Sequence, residues 1–224
     1  MDIIEAIKKR KSIRDFKSDP VPKEIIKEIL EIASRAPSAM NTQPWQFVVV
    51  SGDVLDKIRE DNIKNLISKI HTNPEHRIMG WPSDSVYRKR QVELAKELFR
   101  LMDIQREDKV KRAQWTQRGF RYFNAPAAII ILTDQMLAES SPLLDLGGVI
   151  QTICLTAMNY DLGTCIEDQG VMYPDIVRKH VDIQESMRII MAIAIGYPNW
   201  NFPANKIETS RETLENSTSW FGFD

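Results

Sequence analysis

The sequence predicts one domain that mixes helices with a few strands buried inside it. A chain of 224 residues with 43% hydrophobic content can close a substantial core and falls within ordinary single-domain length. Three short runs rich in Ile, Val and Ala (Gln46 to Ser51, Ala127 to Thr133 and Arg188 to Gly196) are apolar without alternation. Pro126 and Pro198 flank two of them, as expected for strands covered on both faces. Between these runs, apolar residues recur at helical spacing.

In chain order, Asp2 caps a first helix with Ile3, Ile4 and Ile7 on one face. Lys8, Lys9 and Arg10 fall in its last turn, and it is expected to stop near Ser12. A second helix starts at Pro22, repeats Ile25, Ile26, Ile29, Leu30 and Ala33, and ends by Pro37. After the first strand, Asp53 is placed to cap a helix carrying Leu55, Ile58, Leu66 and Ile67. From about residue 71 to 123 the chain is charged, holds Trp81, Trp115, Phe120 and Tyr122, and has one long helical pattern around Val92 to Met102. It reads as an excursion from the core. Leu143 to Tyr160 is apolar nearly all round, which marks a central helix. Beyond Asn199 the pattern turns polar but keeps Trp200, Phe202, Trp220, Phe221 and Phe223. Such rings need a surface, either a groove on the same chain or a partner.

Composition removes several function classes. Lys+Arg 30 against Asp+Glu 31 leaves no basic field for nucleic acid or an anionic membrane. Cys154 and Cys165 lack CxxC spacing and His71, His76 and His180 are scattered, so neither a disulfide scaffold nor a metal site is expected. The amino terminus is charged and amphipathic, and no apolar run reaches membrane-spanning length, so a cytoplasmic protein is expected. No GxGxxG follows a strand, and neither GxxxxGKS/T nor GxSxG occurs.

Four segments offer chemistry. Arg10-Lys11-Ser12-Ile13-Arg14 gathers forked cationic donors and a hydroxyl, suited to phosphate oxygens or a ring edge that turns negative on reduction; it equally suits a helix end stabilised by cations. In the loop from Pro37 to Gln46, Ser38, Asn41 and Gln43 both donate and accept, as reading a heterocycle edge requires, although the same residues satisfy turns. Gly163 to Gly170 reads as a loop whose glycines let backbone approach a flat ligand, or simply end the central helix. Arg211 is a tail cation able to meet a phosphate or only solvent. Cys165, with no His nearby in sequence, reads as a packing residue.

In this order, the basic pentapeptide, Pro37-Ser38-Ala39-Met40-Asn41-Thr42-Gln43-Pro44-Trp45, the Gly163 to Gly170 segment, Ala194-Ile195-Gly196-Tyr197-Pro198 and Arg211 resemble the nitroreductase family of flavoproteins. The resemblance covers both ends and the middle, leaving out most of 54–122. It implies an α+β three-layer sandwich, a mostly antiparallel sheet flanked by helices, spanning 1–224 as one domain with a variable excursion or lid at about 71–123. It also implies a homodimer with exchanged C-terminal arms and FMN held non-covalently at the interface. NAD(P)H is then the reductant, and nitroaromatics, quinones or free flavins are the acceptors in a ping-pong cycle. By carry-over, Arg10, Lys11 and Ser12 contact the phosphate and ribityl side or the pyrimidine edge, helped by Arg14. Pro37, Ser38, Ala39 and Asn41 approach the ring from the other subunit, with Gln43 as an added contact. The backbone of Ile166, Glu167 and Asp168 lies near the reactive nitrogen, and Arg211 meets the phosphate.

Thr209 stands where the family often has a basic residue, leaving Lys206 or Arg14 to compensate, and Arg118 or Arg121 is expected to reach the flavin. No catalytic side chain is required, because the flavin carries the chemistry. Two other readings remain: reductive dehalogenation of an aromatic, and a non-catalytic flavin-binding protein.

Overall fold

The computed structural model describes residues 2–77 and 80–223; Ile78 and Met79, within the expected excursion, lie outside the described residues. Four strands, β1 (Gln46–Ser51), β2 (Ala127–Asp134), β3 (Gly163–Glu167) and β4 (Met187–Gly196), form one sheet in the order β1-β2-β4-β3. Every neighbouring pair is antiparallel. Side chains alternate between two cores, as a two-residue period demands. Ala128, Ile130 and Leu132 of β2 join Ala192 and Ala194 of β4 on one face. Ala127, Ile129 and Ile131 join Ile193 and Ile195 on the other. A bulge between Ile131 and Leu132 inserts one extra β4 residue without losing this division. Both faces being covered, the central strands read as continuous apolar runs.

The helices are α1 (Ile3–Lys9), α2 (Lys23–Ala33), α3 (Gly52–Ile67), α4 (Val86–Leu101), α5 (Lys109–Phe120), α6 (Leu143–Met158), α7 (Pro174–His180) and α8 (Leu214–Ser217). On one side of the sheet, Ile26 and Ile29 of α2 meet Leu146, Val149, Ile150 and Ile153 of α6. On the other, Leu55 and Ile58 of α3 pack with Phe120 of α5 and Ile176 and Val177 of α7. The result is the expected α+β arrangement of helices, antiparallel sheet and helices. Helix α4 lies outside both cores: its Leu98 packs against Ala204 and Ile207 in a separate small cluster. The excursion rejoins the main core at Phe120.

Several local expectations need correction. Helix α1 ends at Lys9 and not near Ser12, because Ser12 pairs with Thr164 and Ile13 N–H donates to the Thr164 carbonyl at 2.9 Å. Ser51 stands at the α3 N-cap, so Asp53 is a first-turn acid and not the cap. The segment read as a loop from Gly163 is a strand as far as Glu167. Its first glycine serves packing: a Cβ at Gly163 would meet Ile13 Cγ1 at 2.5 Å and Pro198 Cγ at 2.8 Å. Helix α6 is not buried all round, since Leu144 is 86% exposed and Gly147 and Gln151 continue the same open stripe. Of the tail rings, Phe202 packs on its own chain beside Leu98 and Ile207, whereas Trp220, Phe221 and Phe223 are exposed by 65%, 85% and 77%.

Candidate functional site

Two of the expected segments meet along one sheet edge. Arg10 to Arg14 runs parallel to the outer side of β3, fastened by the Ile13–Thr164 bond, and Ser12 lies close enough to Cys165 for their side chains to hydrogen-bond. Arg10, Lys11 and Thr164 line one cleft together with Met158, at the C-terminal end of α6. Arg10, Lys11, Ser12 and Arg14 are all half-buried. Lys11 Nζ reaches the Asn205 carbonyl at 3.3 Å and Arg14 Nη1 the Ser12 carbonyl at 3.3 Å. Among the described residues these cations have no carboxylate partner. Positive charge held partly out of water favours an anionic partner.

The segment is held by residues that gave no signal in the sequence. Asn205 is fully buried; its Oδ1 accepts from Arg14 N–H at 2.6 Å, while its Nδ2 donates to the Asp15 and Asn199 carbonyls at 2.8 Å each. Arg118, expected at the flavin, turns instead to the Arg14 carbonyl at 2.8 Å and to the Asp15 carboxylate, with its guanidinium 4.3 Å from the centroid of Phe202. It is a brace for the basic segment. Arg121 likewise donates to Asn124 Oδ1 at 3.1 Å, closing its own turn.

The amide-bearing loop lies elsewhere. Ala39 N–H donates to the Asp145 carboxylate at 3.2 Å, in the first turn of α6, where a carboxylate suits the helix dipole. Ala39 and Gln43 line a second cleft with Asp145. Met40, Asn41 and Gln43 all have left-handed backbone, φ 52, 58 and 49, which is strained for side-chain-bearing residues. Ser38 Oγ accepts from Gln43 N–H at 3.0 Å, and Gln43 Nε2 donates to the Asn41 carbonyl at 3.0 Å, so the loop closes on itself. Met40 projects outward, 96% exposed. Because α6 has 16 residues, the loop and the basic segment sit roughly 24 Å apart at its two ends.

At the far end of β3, Ile166 is exposed, Glu167 buried and Asp168 half-buried. Glu167 Oε2 accepts from Gly170 N–H at 2.8 Å, while Oε1 is buried without a partner. Burial pushes this carboxyl up to about 8. Gly170 is a shared node: its carbonyl accepts from Tyr122 OH at 2.7 Å and Asn62 Nδ2 at 2.9 Å. Tyr122, Phe123 and Asn124 are left-handed in succession, and Arg59 of α3 binds the carbonyls on both sides of them, Arg121 at 3.0 Å and Ala125. Cys165 is buried, and burial pushes its thiol up to about 12, which suits the packing role expected of it. Arg211 stands apart on the exposed tail, its Nη1 donating to Thr209 Oγ1 at 2.9 Å and the Ser210 carbonyl at 2.9 Å. Lys206, at the end of a short 3-10 turn, is exposed.

The profile of the Nitroreductase family matches residues 7–197. Over 226 residues the chain is 28% identical to a 4-nitrobenzoate reductase of Pseudomonas putida, covering 100% of this chain and 97% of the relative. It is 27% identical over 219 residues to a nitrobenzene nitroreductase of Ectopseudomonas oleovorans, covering 97% and 96%. The solved structure of an FMN and NADPH-dependent nitroreductase, NfnB from sphigopyxis sp. strain HMH, superposes with a TM-score of 0.94 at 26% identity over 100% of both chains. With its profile running from α1 past the end of the sheet and the whole fold shared with a solved relative, this chain belongs to the nitroreductase family.

Proposed function

We propose that the chain is an FMN-dependent oxidoreductase that takes electrons from NAD(P)H and passes them to small electron-poor acceptors, nitroaromatics first, by a ping-pong cycle. The observation that carries this is the set of half-buried cations without carboxylate partners on the open edge of β3, in a chain whose full-length relatives are nitroreductases. FMN, when bound, supplies the hydride acceptance and redelivery. Arg10, Lys11, Ser12 and Arg14 hold its anionic and polar edges, and their fixed positive charge favours the reduced, more negative form. Backbone at Ile166 to Asp168 lines the ring, and Arg211, oriented by Thr209, meets the phosphate.

The working unit is a homodimer of single-domain chains, with residues 71–123 as the variable lid. Two copies packed with their α6 helices antiparallel bring one chain's Ser38, Ala39, Asn41 and Gln43 to the other's basic segment, across the distance that separates them within a chain. The open stripe of Leu144, Gly147 and Gln151 and the exposed tail rings support that packing. Location in the cytoplasm agrees with two cysteines that are both free and buried. Among the described residues, no helix is long and apolar enough to cross a membrane.

Anaerobic titration tests the activity. Protein reconstituted with FMN should bleach on adding NADPH or NADH and regain its yellow colour on adding 4-nitrobenzoate. A flavin that resists bleaching favours a binding module. Reoxidation by a halogenated phenol with halide release, and none by the nitroaromatic, favours dehalogenation.

A further inference from the structure

Glu167 is the one carboxylic acid among the described residues that is buried beside the proposed flavin platform. Gly170 N–H donates to its Oε2 and Gln169 N–H also lies near enough to favour its charged form, but burial outweighs both, and Oε1 has no partner. The space around it is closed. A Cβ at Gly170 would meet Glu167 Oε1 at 2.6 Å and the Tyr122 ring at 2.5 Å, and a Cβ at Gly119 of α5 would meet Gln169 Oε1 at 1.8 Å. Asn62 Oδ1, on the side chain that binds Gly170's carbonyl, is a second buried oxygen with no donor. A neutral acid brings a donor into a neighbourhood short of one; an ionised carboxylate adds a further unsatisfied acceptor.

The charged and titratable neighbours offer the ionised form no partner. Asp168 on its own segment repels it, and Cys165 and Tyr122 are both neutral and pushed upward by burial. Arg59 of α3 lies near Tyr122 but is engaged by Asp56 at 2.7 Å and by the carbonyls of Arg121 and Ala125.

We propose that Glu167 is a positioning residue which, as a neutral acid, locks the 167–170 turn against Tyr122, so that the Ile166 to Asp168 backbone is held in the geometry that receives the flavin. Ionisation drives the carboxylate toward water, opens the turn and releases the flavin. This proposal rests on the flavin site read above. It makes flavin retention depend on one proton outside the redox chemistry.

The experiment follows FMN affinity of the apoprotein by quenching of free FMN fluorescence from pH 6.5 to 9.5, in the wild type and in Glu167→Gln. Circular dichroism at each pH establishes that the chain stays folded. The amide keeps the shape and neutrality of the acid but cannot ionise. If only the neutral form is competent, wild-type affinity falls about tenfold from pH 7 to pH 9, whereas that of E167Q stays level. Wild type and E167Q falling together, or both staying level, overturns the proposal while leaving the flavin site intact. A folded wild type that takes up no FMN at pH 7 overturns the flavin site itself, and this proposal with it.

Discussion

Replacing Asn205 by Ala probes how the basic segment is held. The side chain is fully buried and makes three hydrogen bonds, one accepted from Arg14 N–H and two donated to the Asp15 and Asn199 carbonyls. Truncation leaves Arg14 N–H without a partner and takes one of two donors from each of the Asp15 and Asn199 carbonyls, which keep Asn199 N–H and Phe202 N–H at 3.1 Å each. At roughly 1 kcal/mol for each bond lost, the variant should be about 3 kcal/mol less stable. Urea unfolding followed by circular dichroism measures this as a lower midpoint with an unchanged slope. Asn205→Asp separates geometry from charge: it keeps the acceptor for Arg14 N–H but turns an acceptor toward two carbonyls and sets a carboxylate near Asp15. It should be no more stable than the Ala variant. Both should hold FMN more weakly than wild type, since Arg14 loses its backbone anchor. A loss below about 1 kcal/mol, or Asp tolerated like Asn, would refute the account of how this segment is fixed.

Other perturbations reach different parts of the same edge. Gly163→Ala forces a Cβ into Ile13 and Pro198 and should cost about 1–3 kcal/mol by overpacking, read by thermal melting; a neutral effect would mean that the basic segment does not lie tightly on β3. Cys165, buried and pushed up to about 12, should resist iodoacetamide at pH 8 in the folded protein and react after unfolding in urea; rapid native labelling would contradict its burial. Glu167 has a folded value of about 8 against an ordinary 4.5, so the folded state binds the extra proton between these values and wild-type stability declines as pH rises through that window. From pH 5 to pH 8 the decline from this group should be about 3 kcal/mol and absent in E167Q, measured as the difference between their urea midpoints at each pH. Parallel curves for the two proteins would show that Glu167 ionises as freely in the fold as outside it.

What the sequence made legible follows from what each element buries. β2 and β4 were readable because residues such as Ile129 and Ile130 are covered from both sides, which leaves unbroken apolar runs, whereas β1, expected to be buried, is an edge strand with only Val50 fully covered. β3 was hidden, since it is a short edge strand whose Gly, Thr and Glu resemble a turn and whose place is set by Ile13 and Pro198, far apart in sequence. α5 was hidden because Lys109, Lys111 and Arg112 mask a helix that commits to the core only at Gly119 and Phe120. Motif resemblance drew attention to the basic pentapeptide and the Ser38 to Gln43 loop, but not to the parts that hold them. A buried amide such as Asn205 looks in sequence like any surface Asn. Arg118 looked like a ligand-binding cation because its partner, Asp15, lies 103 positions away. The family pattern assigned the loop and the basic segment to different subunits, without showing that they occupy opposite ends of α6.

That separation makes the two-chain site the central claim, and subunit complementation tests it most directly. One chain carries Arg10→Ala with Arg14→Ala, and the other Ser38→Ala with Asn41→Ala. Each homodimer should bind FMN poorly. In a heterodimer purified through two different tags, one site receives both sets of changes and the other receives neither, so FMN content should recover to about one per dimer. Heterodimers that bind no more FMN than either parent, or a wild-type chain that carries FMN as a monomer, would contradict the account.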